Sequence, residues 1–240
     1  MAINANVLMR RPSDRNFFLL AAVMFPLLVL LGYFKTYYFS TFFDVPSVAN
    51  ALVHFHGIVM SVWVLYFVAQ VILIRTKNIK LHMTMGFVGI ALAAIVVIVG
   101  MATAYDAQLV RHAAPPGANP HSFFILPAGD MTLFVLFFAG AIYYRKRPTE
   151  HKTLMLMTAI NFLPAAFFRT PFIPLEYLNL WAFGLAGVLA VICLIWHSIK
   201  HRKVNKVFFT AVVILIGAAA LRFPFAETQI WLNFVSWIAP

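Results

Sequence analysis

The chain reads as an all-α polytopic membrane protein, one bundle of seven transmembrane helices, and three observations predict it. Hydrophobic residues fill 63% of its 240 positions and charged residues only 10%, too little polar surface to cover a water-soluble core. Apolar runs of about eighteen residues or more recur, each long enough to cross a ~30 Å hydrocarbon layer as a helix. Lysine and arginine fall in alternate connections, the pattern of cytoplasmic loops. Backbone groups in lipid must be bonded internally, which selects helices, and nothing here alternates as barrel strands do.

The first run, 17–34, is too long for a signal-peptide core, and Gly32-Tyr33-Phe34-Lys35 makes a poor cleavage site, so it stays as an anchor. Runs 51–74 and 83–105 flank the basic turn with Arg75, Lys77 and Lys80. Runs 123–144 and 153–172 flank Arg145, Lys146, Arg147 and Lys152, and runs 178–199 and 205–221 flank Lys200, Arg202, Lys203 and Lys206. With Arg10, Arg11 and Arg15 these make fourteen of the eighteen basic residues; Lys35, Arg111, Arg169 and Arg222 are assigned to the other side. The amino terminus is therefore expected in the cytoplasm and the carboxyl terminus outside. An inner (cytoplasmic) bacterial membrane is the expected location, and residues 1–240 form one domain because every connection is short.

The net charge of +11 does not point to nucleic acid, since no basic module stands outside the lipid to hold it. It points to anionic lipid headgroups. Aromatics from Tyr33 to Phe43, and from Phe223 to Trp237, belong to an outer interfacial belt, with the tail lying in that interface. Cys193, the only cysteine, falls inside a span and excludes a disulfide framework or thiolate metal site.

Residues that lipid should exclude are more informative. Asp130 lies ~12 Å inside the fourth run by helical rise, which makes it a candidate catalytic or proton-carrying group. The bland alternative is a core acid bonded to Asn161 or a threonine. Gln70 and Asn161 read as interhelical hydrogen-bonding glue. Arg169 is expected to snorkel outward or pair with Glu176. Gly86 with Gly89, and Gly184 with Gly187, read as small helix contacts.

Four of the eight histidines sit at the ends of successive runs on alternating sides: His56 outer, His82 inner, His121 outer, His151 inner. Neutral imidazoles suit iron, and two facing each other near a membrane surface can hold a b-type haem, one or two such groups in all. His54 and His56 point to opposite flanks, so only one faces the bundle. Gly57 after His56 leaves room for a flat ligand. His112 and His197 read as interfacial residues with a polar tip in water.

The stretch His56-Gly-Ile-Val-Met-Ser through Gln70-Val-Ile-Leu-Ile-Arg75, then Lys80-Leu-His82-Met-Thr-Met-Gly86 to Gly100, resembles the second and third helices of the cytochrome b561 family. Pro120-His121-Ser122-Phe123 is similar to that family's opening of the next helix, and His151 occupies the place of its fourth ligand. The resemblance covers roughly residues 50–165. It implies transmembrane electron transfer, with His56 and His121 on an outer haem and His82 and His151 on an inner one. An electron donor, acceptor or partner subunits would then be expected beside the lipid. Two departures stand out: His151 lies between Glu150 and Lys152, and Pro120 precedes His121. The chain also resembles a group of uncharacterised bacterial polytopic proteins, through His56-Gly57, Trp63 and Gln70, and through His151-Lys152 with Leu154-Met155.

Other functions stay open. His82, His151, His197 and His201 share the cytoplasmic side, and His197 and His201 have the i,i+4 spacing of a zinc enzyme, although Lys200, Arg202 and Lys203 would repel a cation. Asp130 with titrating histidines would suit a proton-coupled transporter or sensor. A non-catalytic accessory or scaffold subunit needs only ordinary interface histidines.

Overall fold

Asparagine sets where four of the helices begin. In the computed structural model, which describes residues 15–43, 45, 48–115, 117–170 and 173–240, the side chains of Asn50, Asn78, Asn119 and Asn205 accept hydrogen bonds from the backbone N–H of Val53, Leu81, His121 and Phe208. Each satisfies an amide that the first helical turn leaves without a partner. Arg10, Arg11 and Pro116 lie outside the described residues. The helices are α1 Arg15–Tyr33, α2 Ala51–Arg75, α3 Ile79–Tyr105, α4 Pro120–Phe123, α5 Ile125–Tyr143, α6 Pro148–Phe167, α7 Leu175–His201, α8 Lys206–Ala226 and α9 Gln229–Ile238.

The caps move several boundaries. Hydropathy starts the third helix at 83, but Asn78 starts α3 at Ile79, so His82 is a helical residue. Proline at the first helical position does the same for α4 and α6, where its missing N–H costs nothing, and it carries His121 and His151 onto helices. The tail is the amphipathic helix α9, capped by Thr228. Tyr105 Oη at the end of α3 donates to the Ile238 carbonyl at 2.9 Å and holds it down.

Six helical spans are long and apolar enough to cross a membrane: Asn16–Tyr38, Ala51–Arg75, Ile79–Val110, Pro120–Tyr143, Glu176–His201 and Lys206–Ala226. On their outer faces Leu31, Leu65, Phe87, Ile98 and Leu180 each expose at least 65% of their surface, a display of apolar area that water does not tolerate over so large a patch.

The run expected as the fifth crossing is not among the six. It forms α6, which carries Glu150, His151, Lys152, Thr153, Thr158 and Asn161, and its packing explains how such a helix is accommodated. It lies at the centre, against α1, α5, α7 and α8, with thirteen of its twenty residues buried. The other long helices surround it in the order α1, α2, α3, α5, α8, α7; Phe17 stacked on Trp196 at 4.1 Å closes the circle between α1 and α7. Polar side chains on α6 meet protein on nearly all sides, so their hydrogen bonds are made within the bundle.

Gly32 permits the closest of these contacts: a Cβ there would meet Ala166 backbone atoms at 2.6–2.7 Å. The two largest core clusters meet at α5 and α6, one including Phe137, Met157 and Phe208, the other Trp63, Val96 and Phe134. Gln70 acts as interhelical glue only through Tyr66: its amide donates to Tyr66 Oη at 2.5 Å, and Tyr66 donates to the Met85 carbonyl of α3. Gly89 leaves the gap that Tyr66 fills. Arg169, beyond the end of α6, lies with its guanidinium 4.0 Å from the Tyr33 ring centroid.

Candidate functional sites

Two polar centres stand out. The first is inside the bundle. Arg222 belongs to α8, which runs on to Ala226 rather than ending at 221. Its Nη1 donates to Asp130 Oδ1 at 2.8 Å and to the Leu126 carbonyl at 3.3 Å. Arg222 is therefore not an outer-surface charge: its side chain is 5% exposed and that of Asp130 14%. Neither Asn161 nor a threonine partners the carboxylate, as the sequence suggests. Asn161 donates instead to the Asp130 backbone carbonyl at 2.8 Å.

The guanidinium also lies over the Phe183 ring of α7, 4.7 Å from its centroid, a cation–π contact strengthened by burial. Near the carboxyl end of α8 the cation complements the helix dipole. A cavity of about 10 Å³, about the least that admits one water, lies among Asp130, Asn161, Phe183 and Arg222. Such a pair is strongly coupled, because desolvation makes either charge alone costly.

The second centre is at the edge where α3 and α6 begin. The His82 and His151 rings stand 6.4 Å apart between centroids, nearly perpendicular at 79°. His151 Nδ1 lies 2.9 Å from the Ala141 carbonyl, which orients the ring and leaves Nε2 available. His82 Nδ1 is buried without a hydrogen-bond partner. One turn further along α3, a Cβ on Gly86 would find nothing within 4 Å, so space is open beside the ring.

The outer histidines do not converge in the same way. His56 is turned inward, with Nδ1 buried and unbonded, whereas His54 is exposed, its Nδ1 3.2 Å from Tyr37 Oη. The space expected at Gly57 is filled: a Cβ there would lie 2.4 Å from the Tyr37 ring. A π-helical turn over Phe34–Tyr38 brings Tyr37 there and lets Tyr38 Oη reach Ser61 Oγ at 2.8 Å. His121 faces elsewhere. Its ring is 6.5 Å from exposed His112, its Nδ1 is 3.4 Å from Ser236 Oγ, and its carbonyl accepts from Trp231 Nε1 at 3.0 Å. α4 packs on α9 and on the π-helical turn Asp106–Val110 that continues α3, while α2 packs on α1 and α3; among the described residues no ring contact joins His56 to His121.

His197 is not a polar tip in water. It is 2% exposed, stacked on His201 at 4.3 Å and edge-on to Phe208, because α7 continues to His201 and buries this turn against α8. Among the described residues, no three His, Cys, Asp or Glu side chains gather closely enough to hold a metal ion together. The zinc set of His82, His151, His197 and His201 is thus two separate pairs.

Sequence reasoning found Asp130 but missed its partner. The signal was present: an acid inside a span needs a counter-charge, and Arg222 directly follows an apolar run. No protein-family model, curated protein or solved structure matches this chain.

Proposed function

We propose that this protein crosses a bacterial inner membrane seven times, amino terminus inside, and transfers electrons through one b-type haem held by His82 and His151. The observation that carries this reading is the ring pair. Two imidazoles bound to one metal at about 2 Å from each nitrogen place their ring centres roughly 6 Å apart, and the observed separation is 6.4 Å. The donor set also fits. The Ala141 carbonyl fixes His151 as a backbone acceptor fixes many metal-bound histidines, His82 brings a buried nitrogen with no other bond, and Gly86 leaves α3 open beside it. Bound there, a haem iron would supply one-electron exchange. His56 and His121 do not fit a second haem, so the two-haem wire implied by the resemblance is reduced to one.

Seven crossings follow if α6 spans inside the ring of six, and the basic turns at Lys77–Lys80, Arg145–Arg147 and Lys200–Lys206 orient it. The haem would then lie near the cytoplasmic surface.

The test is an optical spectrum of the purified protein. A sharp band on dithionite reduction is expected, abolished in His82→Ala and His151→Ala and retained in His56→Ala and His121→Ala. Colourless protein isolated from haem-supplemented cells would end the haem reading and leave an accessory subunit or a transporter. The transporter or sensor has one specific observation in its favour, the buried Asp130–Arg222 pair. Proton uptake lost in Asp130→Asn, without a haem band, would select it.

A further inference from the structure

Between α5 and α8, under the start of α9, runs an open groove of about 300 Å³, within the size range of small-molecule sites. It is lined by Gly129, Thr132, Leu221, Arg222, Phe225 and Trp231, among others. Thr132 and Leu221 are exposed on the bundle's circumference, so the groove opens where lipid would lie.

At its base is an unanswered donor. Arg222 is 6% exposed, its Nη1 is committed to Asp130 and Leu126, and its Nε–H has no partner. A buried donor left unpaired is unfavourable, so an acceptor at this spot is favoured. Gly129, which lines the groove, lets the guanidinium lie directly behind it: a Cβ there would stand 3.1–3.4 Å from Nη2, Cζ and Nε.

The chemistry of the acceptor follows from charge and shape. Asp130 already balances Arg222, so an anion would add an uncompensated charge in a low-dielectric setting; a neutral carbonyl would not. Thr132 donates within its own helix to Ala128, and Trp231 Nε1 donates to His121, so neither competes for the acceptor. Trp231 and Phe225, 5.9 Å apart between ring centroids, offer aromatic surface that suits a flat ring. We propose that this groove binds a flat, neutral, lipid-soluble carbonyl compound of the quinone class, held by a hydrogen bond from Arg222. The proposal does not depend on the haem.

The test uses full-length protein in phosphatidylcholine nanodiscs, titrated with a short-chain benzoquinone. Saturable binding of one molecule per chain is expected. Thr132→Trp, which fills the groove without touching the ion pair, should abolish it. Arg222→Lys, which keeps the charge and removes Nε, should weaken it about tenfold or more, and oleate should not compete. If Arg222→Lys fails to fold, Thr132→Trp decides alone. Non-saturable partitioning that is equal in wild type and Thr132→Trp would overturn the proposal, as would binding unchanged in a folded Arg222→Lys. Displacement by oleate at matching concentration would do so too, and would identify an anionic lipid as the occupant.

Discussion

The two polar centres of this bundle are built in opposite ways. Asp130 and Arg222 are full charges buried in the interior, and each is held by something fixed: the other charge, the Leu126 carbonyl, the Phe183 ring, and Asn161 on the neighbouring backbone. His82 and His151 are partly exposed, at the edge, and each ring is held by one backbone carbonyl, Gln70 for His82 and Ala141 for His151. A buried charge requires its counter-charge, whereas an imidazole near the surface can keep a free side. That is why the interior pair serves as architecture as well as a candidate site, and why the edge pair is open to an added ligand.

This contrast can be broken experimentally. Arg222→Ala or Asp130→Ala should destabilise the protein by about 3–5 kcal/mol, the cost of stranding a buried charge, seen as a large fall in unfolding temperature in detergent. The double variant Asp130→Leu/Arg222→Met should recover most of the loss, since neither charge is then left alone. A double variant as unstable as the singles would mean the pair matters for packing, not charge.

At the edge, His151→Ala should cost only about 1 kcal/mol, one hydrogen bond to Ala141, even where, on the proposed reading, it abolishes haem binding. A fall comparable to that of Arg222→Ala would make His151 a structural residue first. Smallest of all, Tyr66→Phe removes the hydrogen bond to Met85 that ties α2 to α3 and should cost about 0.6 kcal/mol, the usual size of such a bond inside a membrane bundle. Chemical denaturation of the reconstituted protein resolves that difference; no change at all would mean that Gly89 packing against the ring carries the contact.

Much of the fold was legible because it follows from local rules. Apolar runs, basic turns and the aromatic tail are properties of segments, and the helices lie within a few residues of them. The errors came where a single side chain outweighs hydropathy: Asn78 and Pro148 start their helices four or five residues early, and Arg222 lets α8 continue past its apolar run. At the candidate sites, Asp130 and the histidines could be picked out by residue type, but Tyr37 filling the space at Gly57 and His197 buried against Phe208 depend on neighbours far along the chain.

By itself, then, the sequence determined that this is an all-helical chain with spans suited to lipid, because hydrophobicity and length are local quantities that the surrounding solvent reads directly. Only the tertiary structure decided that the most polar of the long helices lies at the centre, that Asp130 answers Arg222, and that His82 meets His151 while His56 and His121 part. Those pairings join residues that packing alone brings within reach, and short-range electrostatics and hydrogen bonds act only after packing has done so.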